Sequence, residues 1–198
     1  MKVLADENSQ MTDTQLVKQC QLGNKSSFRL LYQRYNHKVR ATLYKLCGQD
    51  VLDDLQQEVF FKAWKSLPQL KNPRYFSTWL YRICWNVACD QGTAKKKDRQ
   101  RQLARINQMK QSWEDNLSKS HANSQNSLNR LYYQELITNA LQQLSLDHRA
   151  VVVLHDLEDL QQKEVAQILS IPVGTVKSRL FKARKNLRRY LETEGITL

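Results

Sequence analysis

The chain has 198 residues, room for one or two domains, and a formal net charge of +12 that favours a polyanionic partner. It holds only 5 Gly and 3 Pro, too few for an all-β protein full of tight turns, so an all-α fold is expected. Met1 to Gln10 lacks the apolar core of a secretory signal, and no apolar run approaches membrane-spanning length, so the expected location is cytoplasmic.

Residues 1–11 read as a loose start. Thr12-Asp13-Thr14 then offers an N-cap for a helix carrying Leu16, Val17 and Cys20, which Gly23-Asn24 closes. A second helix begins near Lys25, with Phe28, Leu31, Tyr32, Tyr35, Val39, Leu43 and Leu46 at three- and four-residue spacing, and ends at Cys47-Gly48. Asp50 to Asp54 places acids in the first turn of a third helix, where the helix dipole favours them. Its apolar stripe is Leu55, Val59, Phe60, Ala63, Trp64 and Leu67, which leaves Gln56, Gln57, Glu58, Phe61, Lys62 and Lys65 outside or at the border. Phe61 beside Glu58 is the odd member: it is either the edge of the core or part of a docking surface.

The stretch from Ser66 to Phe76 is a loop marked by Pro68, Asn72 and Pro73. Ser77 or Thr78 is expected to cap a helix that runs to about Gln91. That helix is crowded with aromatics (Tyr75, Phe76, Trp79, Tyr81, Trp85) and is followed by Lys95, Lys96, Lys97, Arg99, Arg101 and Arg105. Aromatics beside cations can hold unstacked bases on a charged track, the reading favoured over one in which the same aromatics are core. Asn107 to Asn129 is polar, with Trp113 among its few apolar residues, and reads as a linker. Leu131, Tyr132, Leu136, Ile137, Ala140, Leu141 and Leu144 then form an amphipathic helix, and Ser145-Leu146-Asp147 caps another whose run Ala150 to Leu154 reads as fully buried.

The most informative stretch is Gln161 to Leu191. Val165, Ala166, Ile168 and Leu169 make a short stripe, Ser170-Ile171-Pro172-Val173 breaks it, and a second helix follows. On that helix Val176, Leu180, Ala183, Leu187, Tyr190 and Leu191 share one arc, and no acid stands between Gly174 and Leu191. A short helix, a tight turn and a basic helix form a helix-turn-helix, whose second helix enters the DNA major groove N-terminus first. Thr175, Lys177, Ser178, Phe181 and Lys182 would face base edges and sugars; Arg184, Lys185 and Arg188 suit phosphates.

Candidate chemistry is sparse. Asp53, Asp54 and Glu58 have no metal cluster, nucleophile or phosphate-cradling loop near them and read as ordinary helix-start acids, so no catalytic residue is assigned. Cys20, Cys47, Cys84 and Cys89 form no CxxC pair, and His37, His121, His148 and His155 lack metal-ligand spacing; neither a metal nor a cofactor is expected.

Three stretches resemble a known family. DDLQQEVFFKAW (Asp53 to Trp64) and FSTWLYRICWNVACD (Phe76 to Asp90) are similar to region two of bacterial RNA polymerase sigma factors of the sigma-70 superfamily. Ser145 to Leu187, above all PVGTVKSRLFKAR, is similar to region four, and the compact extracytoplasmic-function (ECF) group keeps only these two regions. The resemblance implies an all-α chain of two helical modules: region two over 1–96, a flexible linker over 97–127, and region four over 128–198. It implies a non-enzymatic subunit that docks through Asp54, Leu55, Gln57, Glu58 and Phe61 on the clamp helices of the largest subunit of core RNA polymerase, and that also meets the flap region. Leu70, Lys71, Asn72, Trp79, Arg82 and Asn86 would recognise and melt the promoter's −10 element. Thr175, Lys177, Ser178, Phe181, Lys182 and Arg184 would read the −35 element as duplex, and an anti-sigma factor is an expected partner. Two departures from the family pattern stand out: Asn72-Pro73 replaces a frequent Gly-Asp pair, and Ser170 replaces the usual Gly before the recognition turn, which a slightly different turn could absorb. GTVKSRL is also similar to the recognition helices of stand-alone transcriptional regulators, but residues 1–91 show no phosphoacceptor or ligand-sensing pattern.

Overall fold

The computed structural model describes the backbone of residues 11–109 and 127–196, and the side chains of residues 11–94 and 135–196. The loose start at 1–10, Trp113 and most of the linker lie outside the described residues, and so do the side chains of the basic run from Lys95 to Arg105.

Helix α1 (Asp13–Gln21) starts at a capping box in which Thr12 Oγ1 accepts from the Gln15 N–H while Gln15 Oε1 accepts from the Thr12 N–H. Gly23, at φ 92°, turns the chain into α2 (Lys25–Cys47), which Asn24 caps. Helix α3 (Leu52–Ser66) follows, then two short 3₁₀ turns, Leu67–Gln69 and Pro73–Tyr75. Helix α4 (Phe76–Met109) crosses the 96/97 boundary expected between module and linker without a break. Beyond come α5 (Ser127–Gln142), α6 (Leu146–Val152) with a π turn over Val153–Leu157, α7 (Gln162–Leu169) and α8 (Val173–Thr193). The described residues contain no strand, which agrees with the all-α expectation, and no helix among them is long and apolar enough to cross a membrane.

One core joins α1 to α4 through Leu16, Val17, Leu31, Leu43, Val59, Leu67, Phe76, Leu80, Cys84 and Val87. Full burial of each large aliphatic side chain contributes about 1.5–3 kcal/mol, which is why the three- and four-residue spacing picks out these positions. A second core is built from Ala150 to Leu154, Val165, Ile168, Leu169, Val176, Leu180 and Ala183. It also takes in Leu46, Tyr81 and Ala88, so the two modules pack on each other.

That junction is held by polar groups the periodicity gave no hint of. Arg149 is 8% exposed, and its guanidinium donates to the carbonyl oxygens of Leu141 (2.7 Å), Gln142 (3.1 Å) and Leu144 (3.0 Å), and across the junction to that of Leu46 (2.5 Å). It thereby satisfies carbonyls left open at the end of α5 and gives a second donor to that of Leu141, which also accepts from the Leu144 N–H (3.1 Å). Beside it, Glu158 accepts from Lys45 Nζ (2.9 Å) and from the Tyr81 hydroxyl (3.0 Å).

Candidate nucleic-acid and partner interfaces

The first candidate surface lies on α3. Leu52, Leu55, Val59, Phe60 and Ala63 turn inward, so residues three and four apart on the far side form a stripe of Asp54, Gln57, Glu58 and Phe61. Phe61 is 66% exposed, a large aromatic surface next to carboxylates. Glu58 accepts from Lys62 Nζ at 2.8 Å, and this hydrogen bond is the main reason the Lys62 pKa is raised. Leu55 is a correction to the expected docking set: at 5% exposed it belongs to the core and supports the stripe from behind. Gln56 is a second correction, buried where the border was expected. Helix α2 covers that flank, with Gln56 Nε2 donating to Asn36 and its Oε1 accepting from Arg40 (3.0 Å), which also pairs with Asp53.

The second candidate surface is the loop before α4 and the outer face of that helix. The loop is more ordered than its composition suggested. Pro68 and Pro73 each sit at the start of a 3₁₀ turn, and Asn72 Oδ1 accepts from the Arg74 N–H at 3.1 Å. Because Asn72 already starts the helical path, α4 begins at Phe76 instead of behind a Ser77 or Thr78 cap. Gln21, which sequence reasoning missed, reaches over from α1 and donates to the carbonyls of Leu67 (3.3 Å) and Leu70 (2.9 Å). Lys71 and Asn72 are exposed and Leu70 is half-buried. Trp79, Arg82 and Asn86 share one stripe of α4, Trp79 half-buried against Phe76 and the other two exposed. The aromatic crowd divides: Phe76 and Tyr81 are core, Trp85 packs against the second module, and Tyr75 stands exposed.

The third candidate surface is α8. The turn before it closes with the Ile171 N–H donating to the Ala166 carbonyl (3.0 Å), while Ser170 takes a left-handed φ of 55°. The turn therefore keeps a left-handed corner with Ser in place; the slightly different turn expected from Ser170 is not needed. Pro172 caps α8, whose first bond runs from the Thr175 N–H to the Pro172 carbonyl at 2.9 Å. Val176, Leu180 and Ala183 are buried, and this fixes the rotation of the helix. Lys177, Ser178, Phe181, Lys182 and Arg184 consequently face outward, Phe181 at 72% exposed, and Thr175 is half-buried. Arg184 forks onto the Asp156 carboxylate (Nε–Oδ2 3.1 Å, Nη2–Oδ1 2.5 Å), which raises its pKa, and Arg179 reaches Asp147 at 3.4 Å. Arg184, Lys177 and Phe181 line the same shallow hollow. These surfaces offer shape, charge and aromatic faces.

Comparison with known proteins agrees with this arrangement. The sequence profile of "Sigma-70 region 2" matches residues 31–100, and that of "Sigma-70, region 4" matches residues 134–187. The ECF RNA polymerase sigma-E factor of Haemophilus influenzae is 30% identical over 187 residues, 92% of this chain and 97% of that protein. The protein of the same name from Escherichia coli K12 is 30% identical over 178 residues, 90% of this chain and 93% of that one. Among solved structures, CnrH in complex with the cytosolic domain of CnrY superposes with a TM-score of 0.66 at 24% identity, over 91% of this chain and 97% of that one. The sigma factor RpoE in complex with the anti-sigma factor NepR, from Bartonella quintana, superposes with a TM-score of 0.57 at 24% identity, over 83% of this chain and 96% of that one. With both regions matched in order and relatives aligned over nearly their whole length, the chain belongs to the ECF group of the sigma-70 family of RNA polymerase sigma factors.

Proposed function

We propose that this chain binds core RNA polymerase and directs it to promoters, using α3 as the docking face, the loop and outer stripe of α4 for the −10 element, and α8 for the −35 element. The observation that carries the reading is that one chain presents two unlike exposed faces. The α3 stripe is acidic and aromatic (Asp54, Gln57, Glu58, Phe61), and the α8 stripe is basic and aromatic (Lys177, Phe181, Lys182). The first suits a protein partner and the second suits DNA. In the −10 role, Leu70, Lys71 and Asn72 would form the loop pocket for an extruded base, with Trp79, Arg82 and Asn86 beside it. Extrusion costs a few kcal/mol of unstacking, and contacts of this kind offset it. Phosphodiester chemistry would belong to the polymerase, so the chain itself is a specificity subunit and not an enzyme, and its place of action is the cytoplasm. The linker, 97–127 as drawn from the sequence, would thread the polymerase channels between the two modules. An anti-sigma partner is part of the proposal, supported by the likeness to chains solved in such complexes.

The test is run-off transcription with purified core polymerase, this chain and a library of promoter fragments, followed by sequencing of the transcripts. Start sites preceded by two shared, spaced elements are the expected result. Duplex binding by the chain alone, with no promoter-specific transcripts, would replace the reading with a stand-alone helix-turn-helix regulator.

A further inference from the structure

We infer that Asp156 is a positioning residue for −35 recognition: it holds the Arg184 guanidinium in one orientation on the DNA-facing hollow of α8. The inference rests on the assignment of α8 as the −35 reader.

The geometry is a fork. Two of the five N–H donors of Arg184 are taken by the two Asp156 oxygens, at 3.1 and 2.5 Å, which fixes the plane of the guanidinium and leaves three donors. Asp156 is the less exposed partner, its side chain 26% exposed against 55% for Arg184, so the anchored end is the acid and the presented end is the cation. Asp156 lies in the π turn that follows α6, a segment whose neighbours Val153 and Leu154 are buried. Arg184 lines the same hollow as Lys177 and Phe181, two turns and one turn earlier on the helix. A phosphate contact carries no sequence information, but it sets the register in which nearby side chains meet bases. An arginine held by a fork meets a phosphate with its side chain already ordered, whereas an unheld one must be immobilised on binding.

An acid this close to DNA also weakens non-specific attraction, because it cancels part of the positive charge that releases counterions. Asp156 is thus expected to lower general affinity while sharpening register. Removing it should weaken binding to matched DNA without weakening binding to unmatched DNA, a signature that simple loss of stability does not produce.

The experiment uses holoenzyme reconstituted with core polymerase. The templates are a promoter found by start-site mapping and the same promoter with its −35 element randomised. The ratio of open-complex formation on the two templates is measured for wild type, Asp156→Ala, Asp156→Asn, Arg184→Ala and the Asp156→Ala/Arg184→Ala double variant. The expected result is a ratio lowered about 3- to 10-fold in Asp156→Ala, with occupancy of the randomised template unchanged or raised at low salt. Asp156→Asn, which keeps one acceptor oxygen, should fall between wild type and Asp156→Ala. In the Arg184→Ala background the Asp156→Ala change should have no further effect. An unchanged ratio in Asp156→Ala, or an equal fall in the Arg184→Ala background, overturns the positioning role. A wild-type holoenzyme indifferent to the −35 sequence overturns the assignment of α8 instead, so the two failures are distinct.

Discussion

Replacing Arg149 tests whether the junction between the modules is built as described. The guanidinium supplies four hydrogen bonds to main-chain carbonyls, three from the end of α5 and the residues after it and one from Leu46 near the end of α2. Burial lowers its pKa, but an arginine stays cationic, so the charge is held in place by carbonyl dipoles. Arg149→Met keeps the apolar stem and removes every donor. The Leu141 carbonyl keeps the Leu144 N–H (3.1 Å), but each of the other three left without a partner costs about 1 kcal/mol or more, roughly 3 kcal/mol for the set. Relief from desolvating the cation returns about 1–2 kcal/mol, so the net loss is about 1–2 kcal/mol. Arg149→Ala, which also leaves a void, should lose about 3 kcal/mol. Urea unfolding followed by far-UV circular dichroism gives the free-energy change. Tryptophan fluorescence follows the same transition partly through Trp85, which packs against the second core. Because the Leu46 bond crosses between modules, the two probes should coincide in wild type and separate in Arg149→Met. A loss under about 0.5 kcal/mol with coincident transitions would refute the argument, since it would mean that water satisfies those carbonyls equally well.

On the docking face, Glu58→Lys or Phe61→Ala should weaken binding to core polymerase by at least tenfold with little change in thermal midpoint, as both side chains reach solvent; pull-down titration alongside melting checks this. Ser170→Gly should stabilise the chain by about 0.5–1 kcal/mol, because a left-handed serine is strained by about 1–2 kcal/mol and glycine returns part of that as unfolded-chain entropy. A neutral or destabilising result in urea would show that the serine side chain offsets the strain. In alkali, burial pushes the Cys20 thiol from 9.0 up to about 11, and Cys84, Tyr35 and Tyr81 are also raised, chiefly by burial. A raised folded-state pKa on an acid stabilises the fold fully below the unfolded value and loses that contribution as pH climbs through the folded one. Stability should therefore hold from pH 7 to about 9 and fall between about 9 and 11, with a smaller fall in Cys20→Ala; a flat profile would remove the assignment.

How much could be read from the chain alone divides along a physical line. Helices, most of their buried stripes and the helix-turn-helix followed from spacing, because a residue three or four positions on meets the same environment, although Tyr32, Trp64 and Ile137 on those stripes are exposed. Thr12 and Ser145 announced their helix starts because capping is a local bond, complete within three residues. The Lys177 and Phe181 face was equally legible, since the buried Val176, Leu180 and Ala183 leave it only one direction to point. What spacing could not carry were bonds between residues far apart in sequence. Gln21 on the loop carbonyls of Leu67 and Leu70, Arg149 on Leu46, and Glu158 between Lys45 and Tyr81 link positions 46 to 113 residues apart. Gln56 was misplaced for a related reason. A single-helix projection shows which side is apolar, but only the neighbouring helix decides how far round that side burial extends. In this chain α2 covers enough of α3 to enclose Gln56, and leaves Phe61 in the open.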